Sequence, residues 1–194
     1  MAEKHGAETV QDPRILRAIA HPMRQRVLGE LSAAGHLRAA DVAELLGIPA
    51  NQASFHLRQL AKYGLVEPAP ELARDGRDRV WRPVHEHGLS LEVGAMEKGP
   101  GGKAAVAVWK RHAAAEARHA VDRAYSLRKS RDTHVMISDD WIRLTKGEAK
   151  EFADELIALQ ERWQDRSQAA ANDGNERRTY HVLKILQPAP EVER

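Results

Sequence analysis

The chain has 194 residues, 42% of them hydrophobic and 30% charged, with no cysteine and a formal net charge of +2. These figures suit one domain with an extension or two small domains, and they exclude disulfides, thiolate metal sites and cysteine nucleophiles. The sequence pI is near 9.0 while the net charge is small, so a surface for nucleic acid has to come from local placement of cations.

Residues 1–11 are polar, lack the apolar core of a secretory signal, and read as a loose tail. No apolar run approaches the roughly 20 residues that span a bilayer, so a soluble cytoplasmic protein with no membrane partner is expected. Asp12-Pro13 starts a helix, with Asp as cap and Pro in the first turn. Ile15, Leu16, Ile19 and Ala20 give it a short apolar face. His21-Pro22 interrupts it, because the residue before a proline is pushed out of helical geometry. A second helix from Pro22 has Val27, Leu28 and Leu31 on one side, Arg24 and Arg26 outside, and ends at Gly35. A third helix spans residues 37–46, with Val42, Leu45 and Leu46 apolar, and Gly47 stands where a left-handed residue is wanted. After Ile48-Pro49 comes NQASFHLRQLAKYGLV, residues 51–66, again with helical spacing. Two helices joined by residues 47–49 make a helix-turn-helix.

Leu65-Val66 begins an extended segment, Arg74-Asp75-Gly76-Arg77 reads as a hairpin turn, and residues 79–84 return as a strand with Pro83 at a sheet edge. Residues 66–84 are thus a two-stranded wing. Residues 85–102 form a boundary, and the EKGPGGK run at 97–103 breaks any helix. A long helix follows from about residue 103 to 128. Its Val106, Trp109, Ala113, Ala117, Ala120, Ala124 and Leu127 lie nearly on a heptad seam, suited to close packing against another helix. Residues 141–144 read as a strand, Thr145 and Glu148 as a capping box, and Ala149, Phe152, Ala153, Leu156, Leu159 and Trp163 as an amphipathic helix. A loop at 172–175 leads to a second strand at 180–186. The predicted fold is mainly α with a small β part. A winged helix-turn-helix domain, 12–87, is followed by a dimerisation region, 103–187, made of the long helix and a strand-helix-strand tail. There is no internal repeat.

At 100° per residue, Ala53, Leu57, Leu60 and Ala61 cluster on one side of the helix that opens at residue 51. Asn51, Ser54, Phe55, Arg58 and Lys62 point roughly opposite, with Gln52 and Gln59 at one edge. Amides and hydroxyls read base edges, Arg takes guanine or phosphate, and an apolar group meets a thymine methyl. An ordinary amphipathic surface helix has the same outline. The wing tips the balance, because Arg74, Arg77, Arg79 and Arg82 crowd a hairpin directly after it, where they suit phosphates or the minor groove.

The stretches HPMRQRVLGEL, DVAELLGI and ASFHLRQLAKYGLV together resemble the winged helix-turn-helix of ArsR-type (arsenic repressor-like) bacterial regulators. Ser54, His56, Leu57 and Leu60, the closing Gly64 to Val66, and Gly76-Arg77 before the Trp81 strand carry the likeness, over residues 12–84. The resemblance implies a homodimeric transcription factor with this helix in the major groove of double-stranded DNA, and contacts at Gln52, Ser54, Phe55 and His56. Two departures stand out. Phe55 fills a slot commonly polar in the family, and Pro49 sits where a Ser or Thr cap is usual.

Many members of that family sense metals. The cysteine pair some carry on the first helix of the motif is absent from AELLGI, residues 43–48. Others use His and carboxylates on a dimer helix, and His112, Glu116 and His119 fall at i, i+4 and i+7 with Asp122 beyond them. A solvated polar flank has the same appearance, and no cofactor is called for. Trp109, Trp141 and Trp163 offer walls for an unidentified small-molecule effector, or serve as core and interface anchors. Catalysis is not expected, since Ser54 and His56, two apart on a helix, face different ways. The leading function is a homodimeric DNA-binding repressor acting by operator occlusion. The alternatives are a winged-helix protein–protein module and a His/carboxylate metal-responsive repressor.

Overall fold

The computed structural model describes residues 8–73, 79–86, 88–126, 132–171 and 173–190. Helix α1 (Pro13–Ile19) opens as the sequence predicts, the Asp12 carboxylate accepting from the Arg14 backbone N–H at 2.8 Å. Helix α2 (Pro22–Ala34) is capped by His21, whose Nδ1 accepts from Met23 N–H at 3.2 Å. Arg24 does not point outward. It folds back onto the end of α1, donating from Nε to Ala18 O at 2.5 Å and from Nη2 to Arg17 O at 2.8 Å. Those carbonyls have no partner within their own helix, and a cation there also meets the negative end of its dipole.

Strand β2 (Leu37–Arg38) and helix α3 (Ala39–Leu46) share the stretch predicted as helix alone. Asp41 accepts from the Arg38 backbone N–H at 2.8 Å, which starts the helix two residues late and frees 37–38 for pairing. Gly47, at φ 61°, takes the left-handed conformation that turns the chain into α4 (Ala50–Lys62). Strand β3 (Val66–Pro68), a 3₁₀ turn (Pro70–Leu72) and strand β4 (Val80–Pro83) follow. The sheet is antiparallel with order β2-β4-β3, one strand more than the predicted wing, and Leu37 lies opposite Trp81 and Glu67 opposite Arg82. Pro83 lies beyond the end of β2, where β4 has no ladder bond on that side to lose. The predicted turn at 74–77 lies outside the described residues.

The N-terminal stretch is not loose throughout. Strand β1 (Glu8–Val10) pairs in parallel with β5 (Leu89–Leu91), within the predicted boundary region. Val10 packs against the core, which gives the strand its anchor. Helix α5 (Val93–Lys98) and helix α6 (Gly102–Ser126) meet at the predicted glycine-rich break. The break turns the chain without interrupting the core, in which Val27, Leu31, Val42, Leu57 and Leu60 continue to Met96, Ala105 and Val106. Beyond Trp109, α6 leaves the core. Ala113, Ala117, Ala120 and Ala124 are half-buried and Val121 and Tyr125 exposed, while Leu127 lies outside the described residues.

Helix α7 (Lys146–Ala169) begins with the predicted capping box, Thr145 N–H donating to Glu148 Oε2 at 2.7 Å and Glu148 N–H to Thr145 Oγ1 at 3.2 Å. The strands expected at 141–144 and 180–186 do not form: among the described residues neither segment joins a ladder. Both are rich in strand-favouring residues, but a strand exists only against a partner.

Gly102 explains the tight α5–α6 corner. A Cβ there would sit 1.8 Å from the Met96 carbonyl oxygen, a backbone atom that cannot swing away. Gly102→Ala should therefore destabilise the protein by about 1–3 kcal/mol, read as a fall in the urea unfolding midpoint. An unchanged midpoint would show that the corner opens freely.

Candidate nucleic-acid interface

Helix α4 buries Ala53, Leu57 and Leu60 completely. That seating sets the rotation of the helix about its own axis and hence what faces water. Asn51, Gln52, Arg58 and Lys62 are exposed, Ser54 and Gln59 are half-buried, and Phe55 is 48% exposed. Among the described residues neither Arg58 nor Lys62 has an ion-pair partner, so both cations are uncommitted. Pro49 stands at the N-cap and offers no side-chain bond, as the sequence indicated.

His56 does not share that face. It is 5% exposed, with its ring centroid 5.1 Å from that of His21 and 5.5 Å from that of Phe55. One step before Leu57 on the wheel, it turns toward the α1–α2 corner instead of the solvent. Its Nδ1 is buried without a hydrogen-bond partner. Burial above all, then the nearby His21 and Arg24 charges, pushes its pKa down. His21 is pushed down too, chiefly by burial, with Arg24 and His112 adding to the effect. His56, for which a base contact is expected from the sequence, thus lies buried at the meeting point of α4 with the α1–α2 corner, off the exposed face. Ser54 and His56 face different sides, as their spacing dictates.

In the wing, Arg79 is exposed, with its guanidinium carbon 5.9 Å from the Trp81 ring centroid. Trp81 itself is buried, so the ring is a fixed platform. Arg82 is committed elsewhere. Its Nε donates to Glu67 at 2.8 Å and its Nη1 to Glu71 at 2.7 Å, bonds that hold its pKa up. It ties the two strands together and is no free cation for phosphate. The Glu67–Arg82 pair follows from the β3–β4 register, which the sequence did not reveal. Arg74 and Arg77 lie outside the described residues.

His112, Glu116 and His119 follow one another along α6. Among the described residues no group of three or more His, Asp or Glu is placed to hold a metal ion. The tryptophans are dispersed: Trp109 packs on the core, Trp163 lines an open groove with Tyr180 and stacks under Arg166 at 4.8 Å, and Trp141 is exposed. No helix among the described residues is long and apolar enough to cross a membrane.

The two depressed histidines carry a stability signature. Unfolded, each titrates near its ordinary pKa of about 6.5. Folded, each holds a proton less readily. Their contribution is therefore present above that pKa and lost as pH falls through it toward the folded values. The urea midpoint should drop between about pH 7.5 and 5.5, and less steeply in His56→Leu. Identical slopes would mean that His56 is not held neutral.

Residues 19–69 match the family model of a helix-turn-helix domain. No curated protein matches the chain at a significant level. Among solved structures, the chain is similar to the homodimeric winged helix-turn-helix DNA-binding domain of Mb0332 from Mycobacterium bovis, described as a possible ArsR-family transcriptional regulator. Identity is 30%, the match covers 38% of this chain and 63% of that one, and the TM-score is 0.33. The chain thus spans less than two thirds of that domain. An apo mutant of Lactococcus lactis ZitR matches at 17% identity, covering 77% of this chain and 88% of its own, with a TM-score of 0.33. A mutant MarR from E. coli matches at 14% identity, covering 76% and 87%, with a TM-score of 0.34. The matched segment holds α2, β2, α3, α4 and β3, and β4 completes the wing.

Proposed function

We propose that this protein is a sequence-specific, DNA-binding transcriptional regulator that works in the cytoplasm as a homodimer and represses by occupying its operator. One observation carries the reading: the outward face of α4 presents Asn51, Gln52, Ser54, Phe55, Arg58 and Lys62 with both cations uncommitted, beside a wing bearing exposed Arg79. Amide groups there bond base edges, Phe55 meets a thymine methyl, and Arg58, Lys62 and Arg79 meet phosphate. Arg74 and Arg77 would extend the wing's contact along the backbone. An exposed ring among polar groups has no favourable role in water and a direct one in a groove.

Two copies place two reading helices about 34–36 Å apart, one turn of duplex, on an imperfect palindrome. The Ala-rich flank of α6 is the part of the long helix suited to that dimer. A signal would act by changing the spacing of the two readers. No effector is assigned.

The test is selection of bound genomic fragments by the purified protein, repeated over a salt series. One palindromic site, with affinity falling steeply as salt rises, is the expected result. Arg79→Ala should weaken binding to every sequence and lower the salt slope by about 1, whereas Gln52→Ala should cost about 1–3 kcal/mol at one base position and relax preference there. Wild-type behaviour from both variants would remove α4 and the wing from the groove. It would favour a winged-helix module for protein contact.

A further inference from the structure

We propose that His56 is a positioning residue for the outward face of α4: its buried imidazole braces the exposed Phe55 ring, so that the base contact made by Phe55 is present when His56 is neutral and lost when it is charged. This rests on the reading of α4 above and adds what orients its apolar contact.

Phe55 is 48% exposed, so the core does not hold its ring. A side chain free at the surface moves among staggered rotamers and loses that freedom when it binds. Neighbours in sequence on a helix do not ordinarily face each other. The rings of Phe55 and His56 nevertheless meet edge to face, with centroids 5.5 Å apart and planes at 69°. In that geometry an aromatic pair attracts beyond its buried area.

His56 in turn is backed from behind. It is 5% exposed, and its centroid lies 5.1 Å from that of His21 with the planes at 51°. His21 is held as the cap of α2, its Nδ1 accepting from Met23 N–H at 3.2 Å. Three rings therefore run from the α1–α2 corner to the outward face of α4, and Phe55 is the last of them.

The middle ring is the one that a proton moves. A charged imidazole carries an N–H at both nitrogens, and His56 Nδ1 is buried with no acceptor. The charges bearing on His56 are His21 and Arg24, and those on His21 are Arg24 and His112; none is acidic. Arg24 is itself tied to the Ala18 and Arg17 carbonyls and faces Tyr63. The carboxylates of the surrounding elements are engaged elsewhere: Asp12 with Arg14, Glu30 with Thr179, Asp41 with Arg38, Glu67 with Arg82 and Glu97 with Lys110. Glu44 on α3 is exposed, and Glu116, a turn beyond His112, is not among the charges acting on either ring. A charged His56 is therefore stabilised only by water. On the helical wheel, water lies on the side of Gln52, Gln59 and Phe55. Turning that way takes the imidazole out from behind the Phe55 ring.

The probe is the duplex recovered by fragment selection, with each thymine replaced in turn by deoxyuridine, which removes only the C5 methyl. A methyl covered by Phe55 is worth about fourfold in affinity. Wild type at neutral pH should show that ratio at a thymine of each half-site, and Phe55→Ala should not. From about pH 7.5 to 5 the ratio should fall toward one in wild type. It should stay near its neutral value in His56→Phe, which keeps a ring and takes no proton, and be absent at every pH in His56→Ala. A merely structural role for His56 would weaken both duplexes equally and leave the ratio unchanged. Helical circular dichroism at each pH confines the comparison to folded protein, and the wild-type profile decides alone if a His56 variant fails to fold. A pH-independent ratio in wild type, the same fall in His56→Phe, or a ratio kept by His56→Ala would overturn the brace. A site that is selected but indifferent to every deoxyuridine would overturn the brace and leave the DNA reading intact. Selection of no site at all would overturn both.

Discussion

Everything on the outer side of α4 depends on how its inner side is seated. Ala53, Leu57 and Leu60 are fully buried, and together they fix the rotation of the helix about its axis. Burying each leucine is worth about 1.5–3 kcal/mol, against about 0–1 kcal/mol for an exposed ion pair. The apolar seat therefore decides the orientation, and the polar face takes whatever direction remains. Gly47 sets the other coordinate, because its left-handed turn fixes the angle at which α4 leaves α3.

The wing divides its cations between two tasks. Arg82 bonds Glu67 and Glu71 and ties β4 to β3 and the turn that follows it. Arg79, three residues earlier, is exposed above a buried Trp81 and answers to nothing acidic among the described residues. A cation already paired gains little from a phosphate, since it must first give up its carboxylates. Arg79 has no such cost, and the Trp81 ring limits the rotamers it loses on binding. Counting arginines in the hairpin overstates its electrostatic reach, and only the cross-strand register shows which of them are spent.

The parts legible in the sequence are those set by local chemistry. Asp12 and Thr145 cap helices, His21-Pro22 splits α1 from α2, Gly47 turns the motif, and the 3.6-residue period places Leu57 and Leu60 inside. The parts missed depend on distant partners. Residues 37–38 become a strand because β4 lies beside them, and β1 forms because β5 returns to it across more than half of the folded domain's length. His56 sits at the border of the inner face, where a wheel cannot decide its direction; the α1–α2 corner decides it by offering His21 as a neighbour. The segments at 141–144 and 180–186 have the composition of strands and stay unpaired, so composition identified what they are suited to and not what they pair with within one chain.

The two halves of the molecule manage apolar surface in opposite ways, and α6 joins them. Its first turns are locked into the half that carries the helix-turn-helix, Gly102 close under the Met96 carbonyl and Ala105 and Val106 buried in the core. The rest of the helix runs out of that core toward the half whose apolar groups are uncovered. Its His112 also reaches the field of His21, which stacks against His56 on α4. A rigid rod fixed at one end to α1 and α5 transmits orientation without needing to deform. On the proposed homodimer, the geometry of association would therefore set the distance between the two α4 faces without any rearrangement inside the helix-turn-helix itself.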